Sequence, residues 1–455
     1  MDKNQGTERS PGNAKKLPTV SAAFDDGTLV ELLYSRQRQE TRFAVWREGS
    51  LEIARALTDA NGIRLVPYSP KNNLVRHGVV LFAEQPKDYG SDEALVRDLQ
   101  AFIHRYVDVP ERFERIASYY VLLSWVYDRF NELPYLRLRG DYGSGKTRFL
   151  LTVGSLCYKP IFASGASSTS PIFRILDAFG GTLIIDEGDF RFSDEKADII
   201  KVLNGGNIRG MPLLKTEVSS SGEFNPRAFD VFGPKLVATR GMYQDRALES
   251  RFITYQSGGH RLREDVPINL PREYQEEALA LRNKLLLFRF THWKRAGHVD
   301  EVIDPSIEPR LNQVFSPLLS VVDSSSLRDE LRAVAKEHHK DLIADRGLDV
   351  EAQVLEVIRD LARTSERSNV PIKAITEAFV ARHGAELDHK VTNQWIGTIA
   401  RRRLELRTQK SHGNYVIPLT EQPKLDRLYE RYGIADLPVD VGDSGDASSD
   451  TAQAG

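Results

Sequence analysis

Cysteine is almost missing from this chain of 455 residues, where Cys157 stands alone. No disulfide can close within the chain and no cysteine cluster is available for zinc. That suits a reducing, cytoplasmic setting. An excess of either charge is missing too: 62 basic residues face 64 acidic ones, for a net charge of −2. Contact with nucleic acid would therefore have to come from a local patch. Long apolar runs are absent. Tyr119–Tyr127, the longest, contains Ser124 and is too short for a bilayer. We expect a buried helix there and no membrane association. Met1 to Lys16 is polar, without the apolar stretch of a secretory signal. There is no G-x-S-x-G nucleophile signature. His338-His339 and the other histidines lack ligand-spaced cysteines or carboxylates, and no internal repeat is visible.

The composition is that of a globular protein, 41% hydrophobic and 28% charged. At this length it should form roughly two to four domains. Its centre carries the chemistry. Leu136-Arg137-Leu138-Arg139 reads as a strand, and Gly140-Asp141-Tyr142-Gly143-Ser144-Gly145-Lys146-Thr147 fits G-x-x-x-x-G-K-[ST], the phosphate-cradling P-loop. Farther on, Thr182-Leu183-Ile184-Ile185-Asp186-Glu187 is an apolar strand ending in two carboxylates. Gly140, Gly143 and Gly145 let backbone N–H groups, with Ser144 among them, approach phosphates closely. Lys146 brings a cation to the β- and γ-oxygens, and Thr147 a hydroxyl to Mg²⁺. Asp186 can hold the Mg²⁺ shell, and Glu187 can orient or deprotonate a water. A glycine-rich turn with a surface lysine, plus a strand ending in solvated acids, is the alternative. The order strand, loop, helix, helix, strand favours ATP with Mg²⁺, and the second carboxylate favours hydrolysis.

Around this centre the pattern predicts a series of elements. Residues 1–18 should be disordered. A small β-rich domain should fill 19–90, with strands at Thr28–Tyr34, Thr41–Trp46, Ile63–Tyr68 and Val79–Ala83 and one helix near Leu51–Ala60. Ser91 should cap a helix, and Glu111 to Arg129 should form a second. Alternating strands and helices over 91–260 imply a mostly parallel sheet with helices on both faces. A β-hairpin with arms Arg209–Val218 and Phe224–Val231 should precede the strand Pro234–Thr239, and a short helix or turn should follow from Asp245 to Phe252. Residues 261–346 read as helices only, and 421–455 as a mostly disordered tail.

Two stretches carry a resemblance. Asn204-Gly205-Gly206-Asn207-Ile208-Arg209-Gly210, the hairpin, and Phe229-Asp230-Val231-Phe232-Gly233-Pro234-Lys235 resemble AAA+ ATPases of the MCM-like helicase type encoded by phages and integrative mobile elements. So does Ala247-Leu248-Glu249-Ser250-Arg251-Phe252, which is similar to that group's S-R-F motif. The resemblance implies an AAA+ core with an α-helical lid and a polar sensor position at Thr239, where that group usually has Asn. It implies that Arg251 reaches the γ-phosphate of a neighbouring subunit in a homo-hexamer, with Arg246 as the alternative. Arg310, opening a lid helix, would be a second sensor for its own subunit. The hairpin would line a central pore, making Arg209 and Lys215 DNA contacts. Ordinary salt-bridged or exposed side chains are the plain reading of all these residues.

Residues 347–420 change character. Glu351–Arg363, Ile372–Arg382 and Thr392–Leu404 read as helices, followed by strands Leu406–Thr408 and Tyr415–Ile417. That order resembles a winged helix, a DNA-binding form that can also bind proteins. Arg401, Arg402, Arg403, Arg407 and Lys410 crowd the third helix and wing against Glu405, which is the local basic patch DNA contact needs. The expected protein is thus an α/β P-loop ATPase, a ring-forming DNA helicase or translocase serving a mobile element. The alternatives are an ATP-switched DNA-binding loader or regulator, and a protein-remodelling ATPase.

Overall fold

The computed structural model describes residues 16–163, 169–186, 194–216, 225–243, 245–258, 262–321, 325–347, 350–364, 369–383, 391–411 and 413–434. Glu187, the hairpin tip, residues 1–15 and residues 435–455 lie outside these, as does the side chain of Arg246. The chain divides between Ala335 and Lys336 into two units.

A five-stranded parallel sheet organises the first unit. Its strands are β1 (Tyr135–Arg139), β2 (Ile161–Ala163), β3 (Leu183–Ile185), β4 (Lys235–Thr239) and β5 (Phe252–Gln256), in the order β5-β1-β4-β3-β2. Every position of β3 and β4 is buried. A parallel strand reads this way when helices cover both sheet faces. Its longer helices, among the described residues, are α1 (Asp92–Tyr106), α2 (Glu111–Trp125), α3 (Lys146–Gly154), α4 (Thr169–Phe179), α5 (Asp194–Gly205), α6 (Glu273–His292) and α7 (Pro309–Ser320), and α8 (Ser325–Gly347) spans the division between the units. Ser91 caps α1 as its sequence predicts, accepting from the Ala94 amide. β5 has no counterpart in the sequence expectation. It pairs with β1 from Phe252↔Tyr135 to Gln256↔Arg139, closing the sheet on that side.

The N-terminal stretch is β-rich but not separate. Ser21–Ala23, Leu29–Ser35, Glu40–Arg47 and Ser50–Ala54 form a four-stranded antiparallel sheet. The helix expected near Leu51–Ala60 is instead the strand Ser50–Ala54 and the short strand Leu57–Thr58. The cause is local. Glu48 and Gly49 both adopt positive φ, +50° and +84°, and so make the tight turn that folds Ser50 back onto Arg47. Lys16–Thr19, expected at the end of a disordered stretch, pairs in parallel with Arg64–Pro67. Val79–Ala83 contributes only a bridge, Val80 to Ile161 on the sheet edge. Val20 and Leu32 join the core that also holds Tyr135, Leu183 and Val237.

A buried polar network ties this stretch to the helices. Glu31, 3% exposed, accepts from the Tyr158 hydroxyl at 2.7 Å and from Arg289 Nε at 2.7 Å. The Arg289 guanidinium also donates to Asp128 at 2.9 and 2.8 Å and to the Trp125 carbonyl at 2.6 Å. Its two carboxylate partners hold it charged, with a pKa above the ordinary arginine value despite burial, and Arg289 in turn holds Asp128 below the usual carboxylate value. A second buried cation, Lys235, opens β4 fully enclosed. Its ammonium donates to the carbonyls of Val231 at 2.9 Å and Gly233 at 2.8 Å, and burial pulls its pKa down to about 7.

The second unit has its own core, including Val354, Leu355, Ile358, Ile375, Phe379, Ile396 and Ile417. Its helices are α9 (Val350–Thr364), α10 (Ile372–His383) and α11 (Asn393–Thr398), the last capped by Thr392. The chain widens into a π-turn over Ile399–Arg403 rather than continuing the expected α-helix. Val370–Pro371, Asn414–Ile417 and Gln409–Ser411 form a three-stranded antiparallel sheet in that order. The first strand of this hairpin therefore starts later than the expected Leu406–Thr408. Gln422–Tyr432 forms α12 in the stretch expected to be tail, and its Leu425 and Leu428 enter the core. Among the described residues, no helix is long and apolar enough to cross a membrane.

Candidate nucleotide site

The carboxyl ends of β1, β4 and β3 emerge side by side, because the register sets Thr239 beside Arg139 and Ile185 beside Val237. Open parallel sheets bind their ligands at this edge. Beyond β1 the Gly140 amide extends the ladder by donating to the Thr239 carbonyl at 3.0 Å. The loop then turns through Gly143 and Gly145, both left-handed at φ +74° and +78°. Gly145 is the N-cap of α3, with no side-chain cap and no acidic residue in the first turn. The positive end of α3 thus meets no acidic side chain of its own first turn, which suits an incoming anion.

Two side chains converge on this loop. Lys146 Nζ donates to the carbonyls of Gly140 at 2.7 Å and Asp141 at 2.6 Å. The Thr147 hydroxyl donates to Asp186 Oδ2 at 2.7 Å, joining residues 39 positions apart in sequence. Hydroxyl and carboxylate oxygens placed together are the hard donor set that Mg²⁺ takes from protein, its other positions being left to water and phosphate. Thr239 ends β4 between them, but it is 1% exposed and its hydroxyl donates to the Gly241 carbonyl at 3.0 Å. Ser144 Oγ donates to the Asp141 carbonyl at 2.7 Å, bracing the arch.

Beside the loop lies a cavity of about 340 Å³. Its walls are Tyr106–Asp108, the arch itself, and the segment around Leu262, Val266 and Ile268. Arg148 pins that segment by donating to the carbonyls of Pro267 at 2.9 Å and Ile268 at 2.6 Å. The Arg263 amide donates to Asp108 at 2.9 Å across the same gap. Apart from the arch, nothing in the sequence motif identifies these wall residues, since the pocket is assembled from three distant stretches.

The remaining candidates fall elsewhere. The Arg251 carbonyl accepts from the Tyr135 amide at the start of β1, so this residue sits a strand's length, roughly 15 Å, from its own loop. Its guanidinium donates to the carbonyls of Leu203 and Asn204, at 3.2 and 2.7 Å, capping the end of α5. Its Nε is buried without a hydrogen-bond partner, and burial lowers its pKa. Arg310 does not approach the P-loop, contrary to the second-sensor expectation. It donates to Ser250 at 3.3 Å and Gln313 at 2.8 Å, beside Arg251, because α7 starts at that end of the sheet. Arg209 donates to the carbonyls of Asp128 and Phe130 and lies over the Phe232 ring. Lys215 pairs with Asp198 on α5. The hairpin itself is present, with Leu213–Lys215 antiparallel to Arg227–Phe229. In the second unit Arg401, Arg402, Arg403, Arg407 and Lys410 are all exposed. Arg403 also pairs with Glu351 at 2.8 Å, and the Arg401 guanidinium lies 5.8 Å from the exposed Tyr415 ring.

No protein-family model matches this chain, and no curated protein matches it. Among solved structures it is similar to the A form apo structure of the NrS-1 C-terminal region, at a TM-score of 0.37 and 13% identity over 86% of this chain and 96% of that one. It is also similar to an inhibitor-bound JCV helicase, at a TM-score of 0.24 and 13% identity over 55% of this chain and 61% of that one. Scores this low leave the site to be judged from its own geometry.

Proposed function

We propose that the chain is an ATP-hydrolysing AAA+ motor that works on DNA, a ring-forming helicase or translocase assembled as a homo-hexamer. The observation that carries this reading is the 2.7 Å contact of Thr147 with Asp186 beside the Lys146 arch. The arch amides and the amino end of α3 hold phosphate oxygens. Lys146 exchanges its carbonyl partners for the β- and γ-oxygens. Thr147 and Asp186 hold Mg²⁺, which neutralises charge gathering on the phosphates. Glu187, the next residue after Asp186, orients the attacking water. The cavity beside the arch takes the base, and helices α6 and α7 serve as the lid. Arg251 lies too far from its own loop to serve it, so it acts on the site of the next subunit, as closed symmetric assemblies allow. The second unit is a winged helix whose arginines hold DNA phosphates.

The engagement of Arg209 and Lys215 within the chain favours a second reading, a DNA-binding loader or regulator that holds DNA through the second unit without threading it. Strand displacement separates the two. A motor unwinds a forked duplex with ATP and Mg²⁺, and DNA raises its ATP turnover. DNA-stimulated turnover without displaced strand would select the loader. Turnover indifferent to DNA would sink both.

A further inference from the structure

An exposed tyrosine is by itself ordinary on a protein surface. Tyr415, 55% exposed in the hairpin of the second unit, is distinguished by what surrounds it. The Arg401 guanidinium lies over its ring, 5.8 Å from the centroid. Two features of the preceding helix account for its place. Gly397 stands about one helical turn before Arg401, buried in α11. A Cβ at Gly397 would come within 3.0 Å of Arg401 Nη1 and 3.4 Å of its Cζ, so the missing side chain makes the space in which the guanidinium lies. Glycine weakens a helix relative to alanine, and here it has that packing reason. The chain then widens around Arg401, where the Leu404 amide donates to the Ile399 carbonyl at 3.0 Å, a π-type bond. Such widened turns recur at functional sites. On the hairpin Lys410 pairs directly with Tyr415, and directly opposed residues place their side chains on one face. Lys410 and Arg401 are both exposed, whereas Arg403 is turned to Glu351 at 2.8 Å. An exposed ring is therefore flanked by a guanidinium from the helix and an ammonium from the other strand.

We propose that Tyr415, with Arg401 and Lys410, is a stacking site for an unpaired base, so that single-stranded DNA gains a contact on the second unit that duplex lacks. Bases within a duplex are stacked on one another, whereas an unpaired base offers its face to an aromatic ring whatever its identity. Arg401 and Lys410 supply the cations for the phosphates next to that base. Tyr415 needs only its ring for this role. The proposal rests on the reading of the second unit as a DNA-binding module, and it specifies the form of DNA held there.

Fluorescence anisotropy on the full chain without nucleotide, at one fixed salt concentration, compares a labelled oligo-dT strand with a labelled blunt duplex. Tyr415→Ala should weaken the single strand by about tenfold, within the range for losing one base–aromatic stack, and leave the duplex unchanged. Tyr415→Phe should bind both as wild type. Arg402→Ala combined with Lys410→Ala should weaken both forms, because phosphate contacts do not tell them apart. The stack is read directly by irradiating the wild-type chain on a strand carrying iododeoxyuridine, which cross-links to aromatic side chains against the base, and the modified peptide should contain Tyr415. Cross-links found only elsewhere, or Tyr415→Ala weakening both forms equally or neither, overturn the stacking site. The DNA reading of the second unit survives that result if the double variant still weakens both forms. If the double variant binds both forms as wild type does, the DNA reading of the unit falls with the stacking site.

Discussion

Lys146→Ala is expected to abolish ATP turnover, a loss of at least about 10²–10³-fold, the scale for removing one preorganised group that stabilises developing charge. The side chain is half-buried in the arch, and its ammonium already bridges Gly140 and Asp141. Truncation removes the cation and leaves those two carbonyls facing the phosphates, so binding and turnover should fall together. Folding should be spared, because the arch is also braced by Ser144 and by the Gly140 amide. Steady-state phosphate release against nucleotide affinity measures this, and wild-type turnover in the variant would remove the nucleotide reading altogether. The same variant tests the shared site. Lys146→Ala subunits retain Arg251, and Arg251→Ala subunits retain the loop. Mixing the two should restore part of the turnover that each lacks alone. If no ratio restores it, Arg251 serves only as the cap of α5 that its contacts with Leu203 and Asn204 describe.

Arg289→Ala should destabilise the first unit by about 3–5 kcal/mol, the range for removing one partner from a buried charge pair. Arg289 and Glu31 are 2% and 4% exposed as side chains. Without the guanidinium, Glu31 keeps only the Tyr158 hydroxyl, and Asp128 keeps the Trp293 indole at 3.0 Å. Urea unfolding in the absence of nucleotide, followed by tryptophan fluorescence, reads the change. An N-terminal stretch folding as an independent docking domain would unfold in its own transition and leave the remainder unaffected. A single lowered transition is expected, because Val20 and Leu32 share a core with the central sheet.

What the sequence discloses divides along the range of the interactions. Gly143, Gly145 and Lys146 are legible because loop conformation and chemistry sit within a few residues. β3 falls within the expected Thr182–Glu187 stretch because its three consecutive apolar residues come just after Gly180, Gly181 and Thr182. Ser91 is legible as a cap for the same reason. The turn at Glu48-Gly49 is local as well, but its glutamate departs from the usual Asn or Asp, so the strand beyond it reads as helix. β5 and the pocket walls are set by partners far along the chain: Tyr135 for one, Tyr106–Asp108 for the other. Arg310 shows the limit most plainly. Its place at the start of a helix is evident in the sequence, but which end of the sheet that helix meets is decided by packing. Glu187 lies outside the described residues, so its role stands on the motif alone.

Lys235 makes the fold a proton donor to its surroundings. In the unfolded chain a lysine keeps its proton to about pH 10.4, whereas the enclosed ammonium of Lys235 releases it at about 7. Lys159, enclosed against Ser21 and the Phe179 carbonyl, releases at about 8. Between these limits the unfolded state binds more protons than the folded one, so stability rises with pH across that window and is lost as pH falls through 8 and then 7. Unfolding in mildly alkaline solution should draw protons from the buffer, and Lys235→Met should reduce that uptake by about one proton. Denaturant midpoints between neutral and alkaline pH, or calorimetry in buffers of different ionisation heat, would record it.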